Sequence, residues 1–150
     1  MKNEPITPGT TMRDFGTTET RGLLNSAAKA IRKAREDPSE EAVHKMRVSI
    51  RRLQQALRLF DQFLRGKGVR ALRRELKSIM VPAGELRNCD IALTLTTSRG
   101  PVAAVLRYRR QVARTALTSA VDTVVGRGSL EERWSRRLEL PLEHEEDSGA

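Results

Sequence analysis

The chain has 150 residues, 38% of them apolar, and carries 28 Lys and Arg against 19 Asp and Glu, a net charge of +9. That length fits one domain with a sizeable core, and the apolar content argues against a disordered chain. The basic excess predicts a polyanionic partner or an anionic surface, without choosing among nucleic acid, lipid head groups and an inorganic polymer.

Residues 1–16 hold Pro, Gly and Thr without period and read as an N-terminal arm. They contain no apolar run, so neither a signal peptide nor a membrane span is expected, and the chain reads as cytoplasmic. Cys89 is the single cysteine, which excludes an intrachain disulfide and fits a reducing compartment. Thr17 or Thr18 can cap a first helix that runs to about Glu36. Its Leu23, Leu24, Ala27, Ala30, Ile31 and Ala34 recur at helical spacing.

A second helix is expected from Asp37-Pro38, with Asp37 as cap, Pro38 at the first helical position and Glu40 where a capping box puts its acid. No Gly or Pro follows until Gly66. Met46, Ile50, Leu53, Leu57, Phe60 and Leu64 fall on one face. His44, Arg47, Arg51, Gln55, Arg58, Gln62 and Arg65 fall on the other, as one basic stripe headed by a histidine.

The third helix starts near Val69, after a short Gly66-Lys67-Gly68 connection that makes it an antiparallel neighbour. Its apolar stripe is Leu72, Leu76, Ile79, Ala83 and Leu86, and Arg70, Arg73, Arg74 and Lys77 lie on the far side. Pro82 and Gly84 are expected to kink it or divide it. The fourth helix is expected from about Pro101 to Val125, with Val102, Val105, Leu106, Val112, Ala113, Ala116, Ala120 and Val124 inward and Arg107, Arg110 and Arg114 outward. Gly126 and Gly128 end it. A short helix from Ser129 to about Leu138 packs Trp134 inward. Residues 139–150 read as a disordered acidic tail. The predicted fold is all-α: an antiparallel four-helix bundle over residues 17–138, without a sheet. Three basic stripes would meet there in a positively charged groove.

Arginine makes bidentate contacts with phosphate oxygens, and lysine acts as a point charge. Lopsided charge on three helices therefore favours anion binding over plain solvated faces. Beside a phosphate, the doubly protonated ring of His44 would donate from both nitrogens. Neither a metal site nor a catalytic site is expected. His144 lies in the tail, Cys89 lacks a partner at ligand spacing, and a general-base role for His44 is not expected. Arg87 and Asp90, at i and i+3, are expected to form a structural ion pair. No Walker loop is present. The aromatics are Phe15, Phe60, Phe63, Tyr108 and Trp134 alone, which removes the stacking platform of single-strand nucleic-acid binders.

The segment His44-Lys45-Met46-Arg47-Val48-Ser49-Ile50-Arg51-Arg52-Leu53-Gln54-Gln55-Ala56-Leu57-Arg58-Leu59-Phe60 resembles the CHAD family, the conserved-histidine α-helical domains. Leu76-Lys77 and Gly84-Glu85-Leu86-Arg87-Asn88-Cys89-Asp90-Ile91 resemble that family's second signature. The resemblance covers residues from about 18 to 125. It implies a helical bundle that binds inorganic polyphosphate through a basic surface, without cofactor or catalysis. It also implies triphosphate-processing enzymes as partners and association with polyphosphate-containing granules. The positions that match are His44, Arg47, Arg51, Arg52, Arg58, Lys77 and Arg87, and less sharply Arg107, Arg110 and Arg114. Arg73 joins them from the stripe of the third helix. A nucleic-acid-binding protein that uses the same surface is the alternative reading.

The sequence departs from the family pattern at Gln54, often basic, at Asn88, in place of an acidic residue, and at Pro82, inside the second signature. The usual family domain also has two bundle repeats, whereas this length holds one. A homodimer would restore the two-repeat arrangement about a two-fold axis.

Overall fold

The structure is a computed structural model and describes residues 11–97 and 99–140. Helices α1 (Met12–Glu36), α2 (Glu40–Leu59), α3 (Gly66–Leu95), α4 (Pro101–Val125) and α5 (Leu130–Leu138) follow in order, with a 3₁₀ turn at Asp61–Phe63. There is no strand among the described residues. Short connections make α1, α2, α3 and α4 successive neighbours, with α1 packed mainly on α2 and α3 on α4, whereas α5 packs back on α3 and α1.

The apolar stripes predicted for α2 and α3 form the centre of the core. Met46, Ile50, Leu53 and Leu57 meet Leu72, Leu76, Ile79 and Ala83, all fully buried. From α1 come Leu24, Ala27, Ile31 and Ala34, with Leu23 and Ala30 half-buried beside them. α5 closes one side. Trp134 is fully buried, its indole Nε1 donates to Glu75 Oε2 at 2.7 Å, and Arg137 reaches the other oxygen of the same carboxylate at 2.6 Å. Arg32 on α1 and Glu131 on α5 form a bidentate ion pair.

Several boundaries differ from the sequence reading. α1 begins at Met12, not near Thr17, because Thr11 caps it by accepting from the Asp14 N–H. The expected arm is thus shorter, and its residues 1–10 lie outside the described residues. Phe15 packs edge-on against Phe60, with ring centroids 5.9 Å apart. The cap of α2 is Ser39, whose Oγ accepts from the Ala42 N–H at 3.1 Å. Asp37 instead ends α1, donating its N–H to the Lys33 carbonyl, so the expected Asp37–Glu40 capping box does not form. α2 stops at Leu59, and the 3₁₀ turn carries the chain through Phe63.

α3 is one continuous helix through both Pro82 and Gly84, so it is not divided. Proline there removes one backbone donor, and an interior glycine costs about 1 kcal/mol relative to alanine. On α4 the inward face is Ala103, Ala113, Leu117, Val121 and Val124, whereas Val102, Val105 and Val112 are exposed, contrary to expectation. The C-terminal segment is docked at its start. Glu139 adopts a left-handed conformation (φ 56°) and Leu140 is buried in the core. The remainder of the expected acidic tail, 141–150, lies outside the described residues.

Candidate functional site

Ser39 caps α2, so its first turns hold Glu40, Val43, His44 and Arg47 at the corner where α3 and α4 pass. A small cavity there is lined by His44 and Arg47 from α2, Arg87 from α3, and Arg110 and Arg114 from α4. Five of the sequence-predicted site residues thus meet at one place, from three helices. Pro38, Val43 and Leu86 give the cavity an apolar back, and Glu40 and Asp90 add two carboxylates.

The ion pairs differ from the expected one. Arg87 does not pair with Asp90 on its own helix. It reaches Glu40 of α2 at 3.6 Å, while Asp90 accepts from Arg110 Nε of α4 at 2.5 Å. Two expected partners within one helix therefore tie three helices together. Glu40 and Asp90 are the polar members of the site that the stripe of cations alone did not single out. Their signal was present, since each lies on a helix face next to a basic residue.

Among the cations that line the cavity, Arg47 carries a buried nitrogen, Nε, that lacks a hydrogen-bond partner. Burial, and then the neighbouring Arg51 and Arg87 guanidiniums, push Arg47 down from the ordinary arginine range. Desolvation and like charge both disfavour a cation, and an anion seated against it would relieve both. His44 also lines a more open depression with Glu40, Glu41 and Arg87.

The other predicted residues lie outside this cavity. Arg51 and Arg58 continue the exposed stripe of α2, at i+4 and i+11 from Arg47. Arg52 follows Arg51 by one residue, about 100° round the helix, and faces solvent elsewhere. Arg73 and Lys77 are exposed on α3, and Arg107 is exposed on α4. No three His, Cys, Asp or Glu among the described residues are grouped as a metal site would require. Cys89 is buried, and burial pushes its thiol up. No helix among the described residues is long and apolar enough to cross a membrane.

The molecule is thus an all-α bundle whose cations from three successive helices converge at one corner. The chain belongs to the CHAD domain family, whose model matches residues 20–149. The match runs past the limit near residue 125 that the sequence motifs suggested, through α5 and beyond. No curated protein and no solved structure matches the chain.

Proposed function

We propose that this protein binds inorganic polyphosphate at the corner formed by α2, α3 and α4, without turning it over. The observation that carries the reading is Arg47, whose Nε is buried without a partner beside two further guanidiniums. In that cavity the four guanidiniums of Arg47, Arg87, Arg110 and Arg114 meet two carboxylates, those of Glu40 and Asp90. Membership of the CHAD family supports the same polyanion.

From the cavity the cations continue along two helices. At 1.5 Å per residue, Arg47 to Arg58 spans about 16 Å of α2, and Lys77 to Arg87 spans about 15 Å of α3. A single orthophosphate cannot touch both ends of either run, and a linear phosphate polymer can. Each phosphate that meets a cation releases a condensed counterion, so binding weakens steeply with salt. His44 adds a contact that strengthens when its ring carries both protons.

Arg51, Arg52, Arg58, Arg73, Lys77 and Arg107 form the outer part of the proposed surface. A homodimer extends it. The exposed Val102, Val105, Tyr108 and Val112 of α4 support a second bundle packing there. Triphosphate-processing enzymes as partners, a cytoplasmic location and association with polyphosphate granules belong to the same proposal.

Nucleic acid is the second reading, because it shares the charge argument. Competition decides between them. Long-chain polyphosphate should displace duplex DNA when the two are matched in phosphate concentration, and equal competition would favour the nucleic-acid reading.

A further inference from the structure

We infer that Gly84 is a clearance residue. By presenting no side chain on the basic face of α3, it lets a phosphate chain lie against the helix between Lys77 and Arg87. This rests on the polyphosphate reading above.

Glycine is a poor residue for the interior of a helix, and Gly84 sits well inside α3, which is unbroken from Gly66 to Leu95. Something should require it, and neither backbone nor packing does. The glycines with positive φ among the described residues are Gly100, Gly126 and Gly128, so Gly84 has no conformation that a side chain would strain. A Cβ added at Gly84 would meet no atom within 4 Å. The contrast with two other helical glycines is direct. A Cβ at Gly16 would lie 2.7 Å from the Phe60 ring, and one at Gly68 would lie 1.9 Å from the Arg137 carbonyl oxygen. Those two glycines permit close packing. Gly84 opens onto empty space.

That space lies in line with the cations. Lys77, Gly84 and Arg87 stand at i, i+7 and i+10, which places them along one side of α3. Ile79, Ala83 and Leu86 mark the opposite, buried side of the same stretch. Arg87 lines the cavity with Arg47, and Gly84 lies one turn away from it. Any longer side chain at 84 would therefore stand between the cavity and Lys77.

Pro82 does not account for the glycine. A proline ring crowds the carbonyl four residues before it, here Ser78, and withdraws its own N–H. Both effects act on the turn that precedes Pro82, and neither calls for glycine two residues after it.

The test uses the full chain with Gly84→Ala, Gly84→Gln and Gly84→Leu. Binding is measured to long-chain polyphosphate and to tripolyphosphate, and melting is followed by circular dichroism. All three variants should melt at or above the parent temperature, because each residue suits a helix better than glycine. Affinity for the long chain should fall with side-chain size, slightly for Ala and about tenfold for Gln and Leu. Tripolyphosphate, short enough to stay at the Arg47–Arg87 end, should bind all four proteins alike. If the Gln and Leu variants bind the long chain as the parent does, the clearance role is wrong and the polyphosphate reading survives. A parent that binds neither phosphate overturns both. Should Leu prevent folding, the Ala and Gln variants decide by the same criterion.

Discussion

Asp90 on α3 accepts a 2.5 Å hydrogen bond from Arg110 Nε on α4, and its carboxylate is largely withdrawn from solvent. The bond joins the two helices at the point where the cationic cavity forms. Asp90 thereby sets the direction in which Arg110 enters the cavity, and it removes part of that residue's charge from a ligand. Asp90→Ala should cost about 1–2 kcal/mol in urea unfolding, the range for a bond to a charged group that is partly exposed. Arg110→Ala added to it should cost little more. Additive losses in that double-mutant cycle would show that the two side chains act independently.

Glu40 plays a different part. Its pair with Arg87 is longer, at 3.6 Å, and Glu40 is mostly exposed. Such a pair contributes little to stability. It does hold a negative charge where a phosphate would sit. Glu40→Gln should therefore tighten polyphosphate binding by about two- to threefold at low salt, and the gain should vanish as salt screens the site. Weaker binding by this variant would mean that Glu40 organises Arg87 for the ligand.

The sequence reading and the structure agree where apolar residues lie on one face only. The stripes of α2 and α3 are of that kind, and Met46, Ile50, Leu53, Leu72, Leu76 and Ile79 are all fully buried as periodicity requires. α4 is ambiguous because valines occur on two sides of it. Toward its N-terminus the small alanines Ala103 and Ala113 are buried while Val102, Val105 and Val112 face out, and only further along do Leu117, Val121 and Val124 turn inward. The start of α1 was hidden by its composition. Thr11 and Asp14 form a cap inside a stretch that otherwise looks like a loop. At the site, cation identity was legible residue by residue, whereas the partners of Arg87 and Arg110 were not. Those pairs depend on how far α3 and α4 slide past α2, which spacing along one helix does not encode.

Gly68 offers a sharp test of how α5 docks. The carbonyl of Arg137 approaches so closely that an alanine Cβ would lie 1.9 Å from its oxygen. Neither atom is at the end of a flexible side chain, so α5 must shift. That shift would disturb Trp134 and its bond to Glu75. Gly68→Ala should destabilise the chain by about 3 kcal/mol, the upper part of the overpacking range. A loss below about 0.5 kcal/mol, typical of a surface change, would contradict the docking of α5 described above.

The second tie between α5 and the bundle predicts a pH dependence. The side-chain hydrogen bond from Arg32 holds the Glu131 carboxyl below its ordinary range. A carboxylate depressed by folding stabilises the native state above its unfolded pKa, and this contribution is lost as pH falls through the folded value. Melting temperature should drop on the acid side, and Glu131→Gln should be less stable near neutrality with a shallower acid limb. Parallel curves for parent and variant would rule out this pair as a source of the acid sensitivity.

Polyphosphate binding as proposed rests on Arg47 and the cations that follow it along α2. The most direct measurement is a salt titration of binding to long-chain polyphosphate, with the parent beside Arg47→Ala/Arg51→Ala and circular dichroism to establish that both are folded. Each lost phosphate contact should flatten the slope of log affinity against log salt by nearly one. The account predicts a double variant at least about tenfold weaker at low salt, with a slope shallower by about two. A folded variant that matches the parent in both affinity and slope would contradict it.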